Sequence, residues 1–265
     1  MNSMKKILAI ILSLALCCML IPAVADDADV VGTWFIAYAE QEGFDIQVID
    51  PTAICLDVKE DGTFALGMSA YGVEQAGTWT LADNMITLAP DIPEDASEAE
   101  AASLAPISFE VSDGEILYST GVAVVHLSRT PAEPMLMAAY KSASSAADFD
   151  GMWVPKAQIV MGLYAELSEE QIAATGKLSV EDGTLITMYD LTGDGTLTPV
   201  QTTKLEFADG ILTGEDSEYT NNTYSVCLLE DETLLYQVTM EMGGSSVTVT
   251  YTYVRDTAAE EAPAA

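Results

Sequence analysis

The chain has 265 residues, 42 of them acidic and nine basic, for a formal charge of −33. Such an acidic surface excludes ordinary nucleic-acid binding, which needs cations against phosphate, and opposes adhesion to anionic membranes. The length suits two modest domains.

Residues 1–25 read as a secretory signal peptide. Lys5 and Lys6 precede an apolar run over residues 7–21, and Ala23-Val24-Ala25 supplies small residues for cleavage after Ala25. The run is shorter than a bilayer span, so no stable membrane insertion is expected. Cys17 and Cys18 allow a lipoprotein alternative, although Leu16 stands where a lipobox carries a small residue. The expected location is extracellular or cell envelope.

Short alternating segments follow, at 34–38, 52–59, 63–70, 77–81, 85–88, 107–111, 115–120 and 122–128. Glu60-Asp61-Gly62 and Ser112-Asp113-Gly114 separate pairs of them, and Asp-Gly between alternating segments is a strong hairpin signal. Strands this short and closely spaced predict an all-β antiparallel sandwich or barrel. Residues 90–106 form an acidic, alanine-rich excursion. Residues 135–149 read as a linker, where Met135, Leu136, Met137 and Tyr140 make a short docking helix an alternative to free chain.

The second half repeats the plan. Glu181-Asp182-Gly183-Thr184-Leu185 matches Glu60-Asp61-Gly62-Thr63-Phe64. Ser168 with Gln171 forms a capping box ahead of a helix at 169–174. Strands are expected near Leu178 and Leu185 and at 197–207, 211–213, 224–229, 234–240 and 247–255. Each half opens on Gly-x-Trp (Trp34, Trp153) and closes on one of the two arginines, Arg129 and Arg255, roughly a hundred residues later. The expected domains are therefore 26–134 and 150–257, with a disordered tail at 258–265.

Gly-x-Trp openings, Asp-Gly-Thr hairpins, the internal Gly77-Thr78-Trp79-Thr80-Leu81 and the late arginines resemble the tandem lipocalin-like domains of secreted bacterial proteins. The resemblance implies two small up-and-down antiparallel barrels. It also implies that each first-strand Trp packs at the closed end beneath the last-strand Arg, pairing Trp34 with Arg129 and Trp153 with Arg255. A guanidinium over an indole face gains about 0.5–2 kcal/mol.

Signals for chemistry are sparse. His126, the only histidine, alternates to the outside of its strand, so no catalytic residues and no histidine metal site are expected. Residues 190–201 imitate a calcium loop, with Asp190 and Asp194 as weak candidate ligands. Gln201 replaces the closing glutamate and no helix precedes the loop, which favours a hairpin turn. Cys55 and Cys227 both fall on polar sides of their strands, and a bridge between them stays open. Asn221-Asn222-Thr223 is a glycosylation sequon. No cofactor is expected.

These readings describe a secreted, non-catalytic two-barrel protein that binds a small apolar ligand, with Tyr224, Met240, Tyr251 and Tyr253 as lining residues. The alternative is a solid-cored interaction or spacer module for an extracellular protein partner, since small barrels can fill their interiors with their own side chains. An interior of several hundred Å³ would separate the two.

Overall fold

The computed structural model describes residues 27–257, apart from 43, 70–72, 95, 98–100, 102–103, 120, 122, 217–221 and 243–244. The expected signal and tail lie outside the described residues. Alternation along the chain produces the strands directly. β3 (Ile54–Val58) and β4 (Thr63–Met68), for example, bury every second side chain. Together with β1 (Gly32–Glu40), β5 (Val73–Ala82), β6 (Met85–Pro90), β7 (Ile107–Ser112), β8 (Glu115–Ser119) and β9 (Val124–Ser128), they run in sequence round an antiparallel barrel. Pairing of β1 with β9 closes it. The hairpin at Asp113-Gly114 has φ of 52° and 81° at its two central residues. Aspartate and glycine accept such values at low cost.

The second copy contains β11 (Gly151–Val160), β13 (Lys177–Glu181), β14 (Thr184–Tyr189), β15 (Thr198–Lys204), β16 (Glu206–Ala208), β17 (Ile211–Asp216), β18 (Asn222–Leu229), β19 (Leu234–Met242) and β20 (Ser245–Arg255). β20 returns to pair β11. The expected strand over 197–207 is broken at Leu205, and its two parts turn a corner, β15 pairing β14 and β16 pairing β17. In the first copy β5 turns the same corner unbroken, because it pairs β4 through its first half and β6 through its second. Gly77 permits this: a Cβ there would lie 2.1 Å from the Ala89 carbonyl oxygen. The first copy is thus a closed eight-stranded barrel and the second a nearly closed one.

The helix Glu169–Thr175 carries both capping-box hydrogen bonds. Ser168 N–H donates to Gln171 Oε1 at 2.9 Å, and Gln171 N–H donates to Ser168 Oγ at 3.3 Å. The docking helix considered for the linker is not what forms. Residues 131–139 run without regular structure into β10 (Tyr140–Lys141), which adds to β18, and a 3-10 turn follows at Ala146–Phe149. The linker's backbone is bound to both copies: Met135 N–H donates to the Val48 carbonyl at 2.7 Å, and Glu230 N–H to that of Ala139 at 2.9 Å. Those long-range bonds take the place of helical ones.

Between β1 and β3 lies β2 (Ile46–Val48), and after β11 comes β12 (Leu163–Glu166). These two excursions pair with each other, Val48 opposite Leu163 and Ile46 opposite Ala165, and so join the barrels. Gly162 makes the junction tight. Its carbonyl accepts from Ile49 N–H at 2.8 Å, and a Cβ on it would lie 2.3 Å from the Asp50 carbonyl oxygen.

The linker also explains a correction. Cys55 is half-buried, but Cys227 is buried, not polar-facing, and the two thiols are free. Its outward neighbours Leu229, Thr233, Leu235 and Thr252 are buried as well, where linker residues 135–138 cross the barrel wall.

Candidate functional site

Each barrel has a closed end built on one plan. The short helix Asp27–Val30 and the 3-10 turn Ala146–Phe149 each insert a fully buried side chain, Val30 and Phe149, four residues ahead of the Trp. Trp34 Nε1–H donates to the Val30 carbonyl at 2.8 Å, and Trp153 Nε1–H to the Phe149 carbonyl at 2.9 Å. Arg129 lies with its Cζ 4.9 Å from the Trp34 ring centroid and donates to the carbonyls of Asp29 and Val31. Arg255 lies 4.4 Å from the Trp153 centroid and donates to those of Asp148 and Asp150. Trp and Arg together satisfy carbonyls that a terminating helical turn leaves bare. This is a plug, and its chemistry is structural. The sequence signal for this plug is an apolar residue four positions before the Trp of each Gly-x-Trp, which the Trp–Arg pairing alone does not reveal.

The interiors differ. Barrel one is filled by Trp34, Phe64, Leu66, Ile86, Leu88 and Phe109, all buried. Barrel two is filled near its plug by Trp153, Leu178 and Leu212, but towards its other end it opens into a cavity of about 390 Å³. Tyr189, Tyr224, Tyr236, Tyr251 and Tyr253 line it, with Gln158, Gln171 and Gln201. The helix Glu169–Thr175 lies at its mouth, contributing Gln171, Ala174 and Thr175. Its described lining residues bear no ionised side chain.

The rings stand in different planes. Tyr236 and Tyr253 are tilted by 77° with centroids 6.0 Å apart, and Tyr251 and Tyr253 by 63° at 6.4 Å. Tyr224 and Tyr236 are parallel within 6° at 6.1 Å. Amides fix two of the phenols. Gln201 Nε2 donates to Tyr224 Oη at 2.7 Å and to Asp216 Oδ2 at 3.1 Å, and Gln158 Nε2 approaches Tyr251 Oη at 3.4 Å. Burial pushes the Tyr236 and Tyr253 phenols far above their ordinary value, and Tyr251 upward also. All three therefore act as neutral aromatic groups.

Of the residues expected to line a ligand site, Tyr224, Tyr251 and Tyr253 come together here and Met240 does not. Met240 pairs with Val247 in a two-stranded extension beyond Thr223–Thr239, the outermost register pair of β18 with β19. It points inward by parity but sits past the rim. Tyr236 could have been found from β19's alternation, because it shares parity with Leu234 and Val238. Tyr189 carried no such signal.

The remaining candidates are placed elsewhere. His126 sits on the outside of barrel one, stacked on Tyr38 at 3.9 Å with Nδ1 2.8 Å from Glu115 Oε2. Residues 190–197 are the loop of the β14–β15 hairpin. Asp190 accepts backbone N–H bonds from Gly195, Gly193 and Thr192, and Asp194 one from Thr196. These bonds, led by Gly195 and Thr196 respectively, hold both carboxyls below the ordinary range. Their oxygens close the turn. Among the described residues no cluster of three or more His, Cys, Asp or Glu side chains is arranged to hold a metal.

No protein-family model and no curated sequence matches this chain. A "putative outer membrane protein" from Bacteroides fragilis of known structure is similar at 8% identity and a TM-score of 0.25, covering 87% of this chain and 100% of that one. At that score the likeness carries no argument about function.

Proposed function

We propose that the protein is an exported, non-catalytic, lipocalin-like two-barrel protein whose second barrel binds a small ligand, the first barrel serving as its packed support. The carrying observation is the tyrosine- and glutamine-lined cavity of about 390 Å³ at one end of barrel two, set against a described interior of barrel one that buried side chains such as Phe64, Leu66 and Phe109 occupy. That volume lies within the range of small-molecule sites. The lining is too polar for a wholly apolar ligand and suits one with a hydrophobic body and polar edges. The non-catalytic reading rests on its neutral residues, which offer no charged acid–base pair. The signal-like residues 1–25 support export.

Native mass spectrometry of the protein as secreted, compared with its denatured mass, tests the reading. We expect a discrete extra mass that is lost on denaturation and absent from Val238→Trp, which fills the cavity. A bare mass in every preparation, and no uptake of small probes by the refolded protein, would refute it. Barrel one's solid core and the exposed Leu136 and Tyr140 on the linker favour, as second reading, an interaction module for a protein partner.

A further inference from the structure

We infer that the cavity of barrel two is an aromatic cage for an organic cation, a quaternary ammonium headgroup being the chemistry that fits. The inference rests on the ligand-binding reading above and names its ligand class. Five tyrosines line one space; the planes of Tyr236 and Tyr253 meet at 77° and those of Tyr251 and Tyr253 at 63°, while Tyr224 and Tyr236 lie parallel within 6°. Centroids in the two steeply angled pairs lie 6.0 and 6.4 Å apart, a spacing at which two rings can each turn a face within about 6 Å of one compact cation. A tetraalkylammonium has no N–H to donate. It asks only for negative ring faces and a cavity of the right size, whereas an ordinary ammonium would need acceptors placed around it.

The charges agree. None of the described lining residues is a Lys, Arg or His, so no cation there pairs with the carboxylate of a fatty acid or another anion. Asp216 stands one hydrogen bond behind the lining, through Gln201 Nε2, which also donates to Tyr224 Oη. The helix at the mouth adds Glu169 and Glu170 in its first turn. The whole chain carries a formal charge of −33, a field that concentrates cations and repels anions. An apolar barrel interior would need none of these features.

The test pairs choline with its neutral carbon isostere, 3,3-dimethylbutan-1-ol, titrated by calorimetry into full-length processed protein stripped of ligand by unfolding and refolding. We expect choline to bind at least tenfold more tightly, about 1.4 kcal/mol. Tyr251→Phe should keep that preference and Tyr251→Leu should lose it. Tyr251 is only half-buried, and melting of each variant verifies its fold. Equal affinity for the two probes would overturn the cation assignment and leave the ligand cavity standing. Binding of neither, with the native mass also bare, would overturn both. A tighter grip on the alcohol, or selectivity surviving in Tyr251→Leu, would also overturn the cage.

Discussion

Truncating the two arginines should have unequal effects, and the geometry sets the order. Arg255 is half-buried, lies 4.4 Å from the Trp153 centroid and donates to two carbonyls. Losing a sheltered cation–π contact costs about 1–2 kcal/mol, and losing hydrogen bonds from a charged donor costs at least ~1.5 kcal/mol more. Arg255→Ala should therefore destabilise by about 3 kcal/mol. Arg129 is exposed and lies 4.9 Å from Trp34, and water competes for both of its carbonyl contacts. Arg129→Ala should cost about 1 kcal/mol. For a chain of this size each kcal/mol moves the melting temperature by about 2–4 °C. Scanning calorimetry of the full chain should show a drop of about 6–12 °C for Arg255→Ala and about 2–4 °C for Arg129→Ala. A double-mutant cycle with Trp153→Phe should recover part of the Arg255 effect as coupling. Equal drops, or a larger one for Arg129→Ala, would show that burial at the plug does not govern its strength.

Three further outcomes are expected. Gly162→Ala should loosen the junction between barrels, because φ is +74° there and the new Cβ would meet the Asp50 carbonyl at 2.3 Å; limited proteolysis should cut the 131–139 linker faster, and an unchanged rate would argue against the junction. With an aromatic disulfide reagent at pH 8, Cys55 should react well before Cys227, which is buried and whose thiol burial pushes up to about 11; comparable rates would contradict the covered face. Stability should fall as pH rises past about 10, because the unfolded tyrosines ionise there while burial keeps Tyr236 and Tyr253 protonated in the folded chain; their stabilisation is whole below the unfolded value and lost towards the raised folded one. Tyr236→Phe should flatten that fall, and a wild-type slope in its melting profile would refute the linkage.

The barrels were legible because hairpin chemistry is local. Asp-Gly turns, alternating segments and the paired Trp and Arg residues each act within a strand or two, and together they imply two copies of one fold. What escaped depends on contacts between distant segments. β2 and β12 are three and four residues long, and neither has a pattern to mark it; β12 pairs β11 of its own copy, and β2 exists as a strand because β12 supplies its partner edge. Met135, Leu136 and Met137 suggest a helix by composition, yet the Val48 carbonyl and the Glu230 N–H, bonded to Met135 N–H and the Ala139 carbonyl, hold that backbone out of helical form. Cys227 looked exposed by parity, and parity cannot report that another segment lies across the outer face. The cavity is partly visible: Tyr224, Tyr236, Tyr251 and Tyr253 follow from alternation, whereas Met240 lies outside it because strand parity gives direction but not distance from the rim.

The pairing of β2 with β12 joins corresponding excursions of the two copies, each placed between the first and second strands of its own barrel, and it runs antiparallel. Such self-complementary contact is what a two-fold axis imposes on a symmetric dimer. The seam has that antiparallel form but unequal sides, since β12 also pairs β11 of its own copy whereas, among the described residues, β2 pairs only β12. Fusion removes the constraint that both halves stay alike. One half closes its interior around Trp34, Phe64, Phe109 and aliphatic neighbours, while the other opens a mouth ringed with tyrosine. A first half cut loose at the linker would expose the β2 edge again, and an unpaired edge recruits whatever strand is at hand, including that of another copy.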